Sequence, residues 1–463
     1  MSEFKDSKYL AYPEYKDSGI EWLRKIPSHW RAIPLKLIVD TRKGVAFKSS
    51  DFTSEGVRVV KASDIKRLTI NSSEVYLPAS YISVYPKAVL RKGEIILSTV
   101  GSNPDVKNSA VGQIGVVPEH LHGTLLNQNT VVFEPNKNIV HGMFLFKVIQ
   151  MNGYRDHLDL NAHGTANQSS LSIADMLNFY ISLPPKEEQT QIASFLDHET
   201  TKIDTLIEKQ QQLIDLLKEK RQAVISHAVT KGIPNKEHPN VAMKDSGVEC
   251  LGEVPEHWVV SKVKYLAELT PKKTEVENLK NTLCSFIPME KLKKDTLVLD
   301  EIRQVSEVFD GYTYFKNEDL LVAKVTPCFE NQNMVIARGL QNGIGFGSSE
   351  IYVLRSKLDC FNDFLYYRLQ EDIFMDLATG EMTGAGGLKR VPSDFLSNFQ
   401  FALPPVQERL EIVEYIKNYV TKFDKLMKYA ESAIELMQER RKALISAAVT
   451  GKIDLRNWEQ PND

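Results

Sequence analysis

The sequence predicts an α+β protein. Two globular α/β heads are separated by a long antiparallel two-helix coiled coil, and the whole is an internal pseudo-twofold repeat. Three observations predict it. Residues 16–30, KDSGIEWLRKIPSHW, return at 244–258 as KDSGVECLGEVPEHW. The segment 183–230 opens LPPKEEQTQI and closes RQAVISHAVT, while 403–450 opens LPPVQERLEI and closes RKALISAAVT. Between these landmarks each half carries short β-like runs and then a stretch of helical periodicity, so the chain reads A-B-A′-B′.

In chain order, residues 1–25 form an N-terminal arm and 26–182 the first head. Within that head GEIILSTV (93–100) and NTVVFEP (129–135) sit between Gly, Pro and Asn turns, and MFLFKVIQMN (143–152) is helix-like. A central spacer helix occupies 183–231. Pro184 and Pro185 suit its start, because proline lacks the amide hydrogen that is unpaired there, and Glu187 and Glu188 lie against the positive end of the dipole. A linker, 232–254, leads to the second head, 255–402, with runs DLLVAKV (319–325) and EIYVLRS (350–356) and the helix-like DFLYYRLQED (363–372). The helix-like stretches match at an offset of 220 and the HW dipeptides at 228, so the second head is eight residues shorter (228 − 220), the change falling in loops. The C-terminal spacer helix spans 403–451 and a tail runs over 452–463.

Each spacer carries a heptad pattern. Alternate steps of four and three from Ile192 give Leu196, Glu199, Ile203, Leu206, Gln210, Leu213, Leu217, Lys220 and Val224. The same walk from Ile412 gives Ile416, Tyr419, Phe423, Leu426, Ala430, Ala433, Met437, Arg440 and Leu444. Gly232 and Gly451 suit the stops. A helix of about 40 residues is about 60 Å long, and its apolar stripe must be covered. The other copy is the simplest cover, and antiparallel pairing places the heads at opposite ends.

Composition is that of an ordinary globular chain, with 42% hydrophobic and 25% charged residues over 463. There is no run of eighteen apolar residues and no apolar stretch at the start, so neither a membrane span nor a signal peptide is expected. Four cysteines without CxxC spacing point to a reducing cytoplasm rather than zinc or disulfides. Charge is uneven: residues 1–182 hold 21 Lys+Arg against 17 Asp+Glu, and 241–402 hold 18 against 24. A duplex binder is usually basic, since phosphate contacts supply most non-specific affinity. Charge therefore argues against nucleic acid, more so for the second head, unless local loops or a partner carry the field.

The repeated motifs carry a resemblance. KDSG-x-EWL-x5-HW at 16–30 and its echo at 244–258 resemble the specificity subunit of type I restriction–modification systems. So do NF-x3-LPP-x3-Q at 178–189 with NF-x3-LPP-x-QE at 398–408, and the helix ends at 221–230 and 441–450. The resemblance covers nearly the whole chain. It implies that the heads are target-recognition domains, each reading one half of a bipartite asymmetric DNA site. The helices would then set the spacing and dock two methyltransferase (M) subunits, with restriction/translocase (R) subunits joining that core. It implies no catalysis and no bound cofactor in this chain, with S-adenosylmethionine, ATP and magnesium expected on the partners. Cys250 stands where Trp22 does in the first copy, and Arg409 where Gln189 does.

Candidate DNA-binding residues fall into three groups. The first lies just before the long helices: His163, Thr165, Asn167 and Gln168 in HGTANQSSLS, and Thr383, Lys389 and Arg390 in TGAGGLKRVPSD. Asn and Gln pair bidentately with adenine, and Lys or Arg with guanine. The second comprises Asn103, Lys107 and Asn108 in SNPDVKN, with Lys324, Asn331, Gln332 and Asn333 in and before TPCFENQN. These loops differ where their flanks agree, as surfaces reading different targets would. The third is basic and suited to phosphates: Lys48, Arg58 and Lys61, and Lys291, Lys293 and Lys294. The plainer readings are a Gly-rich connection that caps a helix for the first group, solvated turns for the second, and scattered surface lysines, the commoner explanation, for the third. Trp22, Trp30 and Trp258 read as structural pins. No phosphate loop, methyltransferase tetrapeptide or HExxH appears, so the chain reads as a non-catalytic recognition subunit. An interaction scaffold without a DNA role, or an unrecognised nuclease or methyltransferase, are the alternatives.

Overall fold

The computed structural model of the chain describes residues 9–461 apart from 67, 72–73, 102–110, 166–167, 234–240, 359–360 and 386; residues 165 and 168 are described as backbone only. The chain divides into two units, Met1–Gln210 with Ser432–Asp463, and Gln211–Glu431.

In the first unit four antiparallel strands lie in the order Ile114–Val116, Ile95–Ser98, Thr130–Pro135, Val39–Lys43. Successive side chains of a strand point to opposite faces. Ile95, Leu97, Val131 and Phe133 accordingly enter a core with Phe144, Leu145, Tyr154 and Leu158 of the helices Gly142–Ile149 and Asn152–Leu160. Ile96 and Val132 enter a second core with Val60, Ile65 and Leu126. Burial on both faces is why these strands read as continuous apolar runs.

The second unit repeats that sheet: Met334–Ile336, Leu320–Ala323, Ile351–Ser356, Ala267–Leu269, again antiparallel throughout. Leu320, Val322 and Leu354 face one core, and Leu321, Ala323 and Val353 the other. A further four-stranded sheet, Ile302–Gln304, Leu283–Ile287, Ile344–Gly347, Thr313–Lys316, belongs to this unit.

The repeated motifs meet within each unit. Arg31–Pro34, after the first HW, pairs with Tyr180–Leu183, before the first LPP, and Val259–Lys262 pairs with Gln400–Leu403 in the same way. Trp30 is fully buried and its Nε1 donates to Glu188, while His29 Nε2 lies 2.6 Å from the same carboxylate. In the second unit His257 lies 2.6 Å from Glu408, and Trp258 is fully buried. KDSG is a turn: Asp17 accepts from the Gly19 amide and Asp245 from the Gly247 amide. Trp22 stays partly exposed and stacks on Phe179 at 4.7 Å.

Two long helices, Lys186–Lys231 and Val406–Val449, each enter both units. In the first unit Ser182 Oγ donates to the Val449 carbonyl and Arg441 Nε to Asp204, so the two stretches run in opposite directions. In the second, Arg221 pairs with Asp424 while Ile225 and Val229 share a core with Ile412 and Ile416, again in opposite directions. Gly232 and Gly451 hold φ of 85° and 73°, and the Lys452 amide closes on the Ala447 carbonyl.

The heptad walk requires a correction. Leu206 and Leu213 are 50% and 42% exposed, and Tyr419 and Leu426 are 36% and 49% exposed. Ile192, Leu196, Ile203 and Leu217 of the walk are buried, as are Ile412, Ile416, Phe423 and Ala430, but Thr200, Ile214 and Arg221 are buried in place of Glu199, Leu213 and Lys220. The seam takes two successive steps of four near the start of each helix, at 192–196–200 and at 412–416–420, before alternating. A straight helix has 3.6 residues per turn rather than 3.5 and drifts against a strict heptad, and the extra four-step absorbs that drift.

Candidate nucleic-acid interface

In the first unit the hairpin His163–Thr165/Gln168–Ser170 is joined by a third strand, Val100–Gly101, with Val100 opposite Ser170 and Gly101 opposite Ser169. That strand leads directly into the segment 102–108. The strand that precedes one candidate segment therefore borders the hairpin of the other. His163 is exposed; Thr165 and Gln168 face each other across the hairpin; Asn103, Lys107, Asn108 and Asn167 lie outside the described residues.

The second unit makes the same joint. The hairpin Thr383–Ala385/Leu388–Arg390 meets the chain at Val325, which bridges to Arg390. Thr326 ties the two together: its amide donates to the Lys389 carbonyl, its hydroxyl donates to the Gly387 carbonyl, and the Lys389 amide donates back to that hydroxyl. Both hairpins place a glycine at a backbone angle closed to other residues, Gly164 at φ 145° and Gly384 at φ 148°. A Cβ on Gly384 would lie 2.2 Å from the Leu388 carbonyl oxygen.

Three backbone contacts define one frame in both units. The Leu171 amide donates to Thr99 O as the Val391 amide does to Lys324 O. The Thr99 amide donates to Asn129 O as the Lys324 amide does to Glu350 O. Val100 faces Ser170 as Val325 faces Arg390. The frame thus equates Thr99 with Lys324, Asn129 with Glu350, and Ser170 with Arg390. It carries neutral polar side chains in one unit and charged ones in the other.

The remaining candidates are placed as follows. In the second unit residues 326–333 close a compact turn anchored by the buried Phe329. Asn331 is exposed, Asn333 is buried, and Gln332 accepts from Lys294 Nζ at 2.5 Å. Lys293 is exposed on a short strand beside Met334–Ile336. Lys291 is held by Asp300 and Glu301, both at 2.7 Å, and those two bonds raise its pKa. Lys324 lies over the Tyr352 ring at 5.1 Å, and Thr383 and Lys389 are exposed. In the first unit Lys61 precedes the turn Ala62–Asp64, which packs beside Val100–Gly101. Lys48 is exposed, and Arg58 donates to Tyr76 and lies over its ring.

Sequence reasoning missed Glu350, Tyr352 and Thr326. Glu350 takes a two-point grip on Arg390, with Nε at 2.8 Å and Nη2 at 2.9 Å, and the bond from Arg390 holds its carboxyl below the usual range. The signal was a substitution between the copies, Asn129 for Glu350, visible only in the correct register. Among the described residues no helix is long and apolar enough to cross a membrane, and no three His, Cys, Asp or Glu side chains cluster as a metal site.

The family profile described as the type I restriction modification DNA specificity domain matches residues 27–216 and 255–436. The chain is 34% identical over 196 residues to the type I restriction enzyme EcoAI specificity subunit of Escherichia coli, covering 42% of this chain and 33% of that protein. To the EcoEI specificity subunit of the same organism it is 31% identical over 211 residues, covering 45% and 34%. The chain thus aligns with about a third of the length of these two relatives. It is 23% identical over 445 residues to the putative MjaX specificity subunit of Methanocaldococcus jannaschii, covering 93% and 95%. Its fold is similar to a chain from a structure of complex assembly in the type I R-M system, with a TM-score of 0.63 at 18% identity over 92% of this chain and 99% of that one. It is also similar to the HsdS subunit of Thermoanaerobacter tengcongensis, at 0.50 and 16% over 92% and 98%.

Proposed function

The chain belongs to the type I restriction modification DNA specificity family, and from that membership we propose that it is the DNA-recognition subunit of a type I restriction–modification complex. Each head reads one half of a bipartite, asymmetric duplex site. The long helices form an antiparallel coiled coil that sets the gap between the halves and docks two M subunits, which R subunits join. Methyl transfer and DNA translocation belong to those partners, and S-adenosylmethionine, ATP and magnesium go with them. The complex acts in the cytoplasm.

One observation supports this reading above the rest. Both units build the same backbone frame from two distant loops, and that frame carries Thr99, Asn129 and Ser170 in one unit and Lys324, Glu350 and Arg390 in the other. A shared scaffold with exchanged side chains is what two readers of different sequences require. The deciding measurement is the methylated motif in genomic DNA from cells carrying the chain with its methyltransferase. A split motif with two defined halves is expected. Methylation without sequence preference, or none, would reject the proposal.

A second reading, a scaffold without a DNA role, draws on the acidic second head, with 18 Lys+Arg against 24 Asp+Glu over 241–402. A complex that assembles but shows no sequence-dependent gel shift would favour it. Cleavage or methylation by the purified chain alone would instead make the protein an enzyme.

A further inference from the structure

We propose that the second unit reads a guanine through Arg390, and that Glu350 is the residue that aims it. The inference rests on the recognition role proposed above and goes further, to the base and the two side chains responsible.

Arg390 ends an exposed hairpin strand, and its side chain is 46% exposed. Glu350 Oε2 and Oε1 accept from Nε and Nη2 and so occupy the side-on edge of the guanidinium. Left over is the end-on fork of Nη1 and the second Nη2 hydrogen, and no described residue accepts from Nη1. Two parallel donors match two adjacent acceptors. In the major groove only guanine offers such a pair, O6 and N7; adenine puts a donor beside its N7 and repels one arm of the fork.

The strand that carries the fork is tied down along one edge. Val325 bridges Arg390, the Val391 amide donates to Lys324, and Tyr352 donates its hydroxyl to Val391 O at 2.8 Å. Thr326 binds the neighbouring Gly387 and Lys389. Lys324 is parked on the Tyr352 ring. A reading side chain must be held within narrow limits by its surroundings, and these contacts supply that restraint.

Two plainer accounts compete. An exposed ion pair can be mere surface decoration of little energetic consequence. The frame argues against this, because Glu350 and Arg390 replace Asn129 and Ser170 together at positions fixed by the same backbone contacts. The fork could instead grip a phosphate. A phosphate contact gains from positive potential, and Glu350 cancels much of it. It also does not need an aimed fork, since it carries no base information.

The test uses the full chain assembled with its methyltransferase partner and duplexes containing its methylated motif. Each guanine is replaced in turn by 7-deazaguanine, which lacks the N7 acceptor. With the unaltered chain, one such replacement in one half-site should weaken binding about tenfold, the scale of losing a good bidentate base contact. With Arg390→Ala the same replacement should make no further difference, while every position in the other half-site stays as discriminating as before. Glu350→Gln keeps one acceptor and the fold. It should weaken preference at that guanine alone, an effect that a purely structural role would spread over all positions. Arg390→Lys, a single point charge, should not restore the preference.

Should Arg390→Ala fail to assemble, Glu350→Gln read by the same replacement series decides the matter. Uniform loss of binding at all sequences with a shallower salt dependence would overturn the proposal in favour of a phosphate contact. An unchanged motif would reduce the pair to surface decoration. Absence of sequence preference in the unaltered complex would reject the recognition role itself, a separate failure.

Discussion

Two buried charges show what single residues contribute. Arg368 and Glu371 pair with side chains 1% and 2% exposed, and Ser226 of the long helix donates to the same carboxylate. Truncating one partner of such a pair strands the other in a low-dielectric core, so Glu371→Ala should cost about 3–5 kcal/mol by denaturant unfolding. The joint change Arg368→Met with Glu371→Leu should recover most of that loss. Lys147 is the converse case. It is 4% exposed, donates to Thr200 at 3.2 Å and lies 3.6 Å from Asp197. Burial lowers its pKa, with Asp197 opposing and Arg441 adding to the shift. The folded state therefore binds this proton less tightly than the unfolded chain does. The resulting penalty is full below the folded pKa and fades as pH rises through it toward the ordinary lysine value. Lys147→Met should raise stability at pH 7 by about 1 kcal/mol, and the gap should close as pH approaches that value. A gap that widened with pH would contradict the assignment.

At the scale of elements, the long helices are governed by where their seams fall. Ile214 is 3% exposed and Leu213, its neighbour, 42%. Ile214→Ala should therefore cost about 2–4 kcal/mol, and Leu213→Ala less than about 1 kcal/mol, since only the first opens a cavity. Equal losses measured by thermal or denaturant unfolding would restore the uninterrupted heptad. The hairpins are governed by one backbone angle each. Gly384 sits where a Cβ would meet the Leu388 carbonyl oxygen. Gly384→Ala should distort the hairpin and blur one half of the methylated motif while leaving the other half sharp.

At the scale of the whole molecule, the proposed ruler makes a numerical demand. Removing one heptad from each long helix shortens a helix by about 10 Å. At about 3.4 Å per base step, the unread gap in the target should close by about three base pairs with both half-sites intact. An unchanged gap would remove the helices from the role of spacer. Exchanging residues 255–402 for another head should alter one half-site only, as read from the methylated motif, and simultaneous change in both would contradict independent reading.

Much of this protein was legible in the chain itself. Duplicated motifs announced two similar heads. The apolar runs 93–100 and 319–325 marked strands, and the paired prolines and late glycines bounded the helices. These are local signals, set by side-chain periodicity and by backbone angles that few residues tolerate. The candidate loops were also legible as places where the copies diverge. The contact of Val100 with Ser170, and of Val325 with Arg390, was not legible, because each forms only once the sheet and the hairpin have been brought together by packing. The seam phase escaped for a similar reason, being fixed by the mismatch between 3.6 and 3.5 residues per turn rather than by hydrophobic count. Glu350 was invisible as a functional residue, since a lone glutamate acquires meaning only from the guanidinium that tertiary contacts place against it.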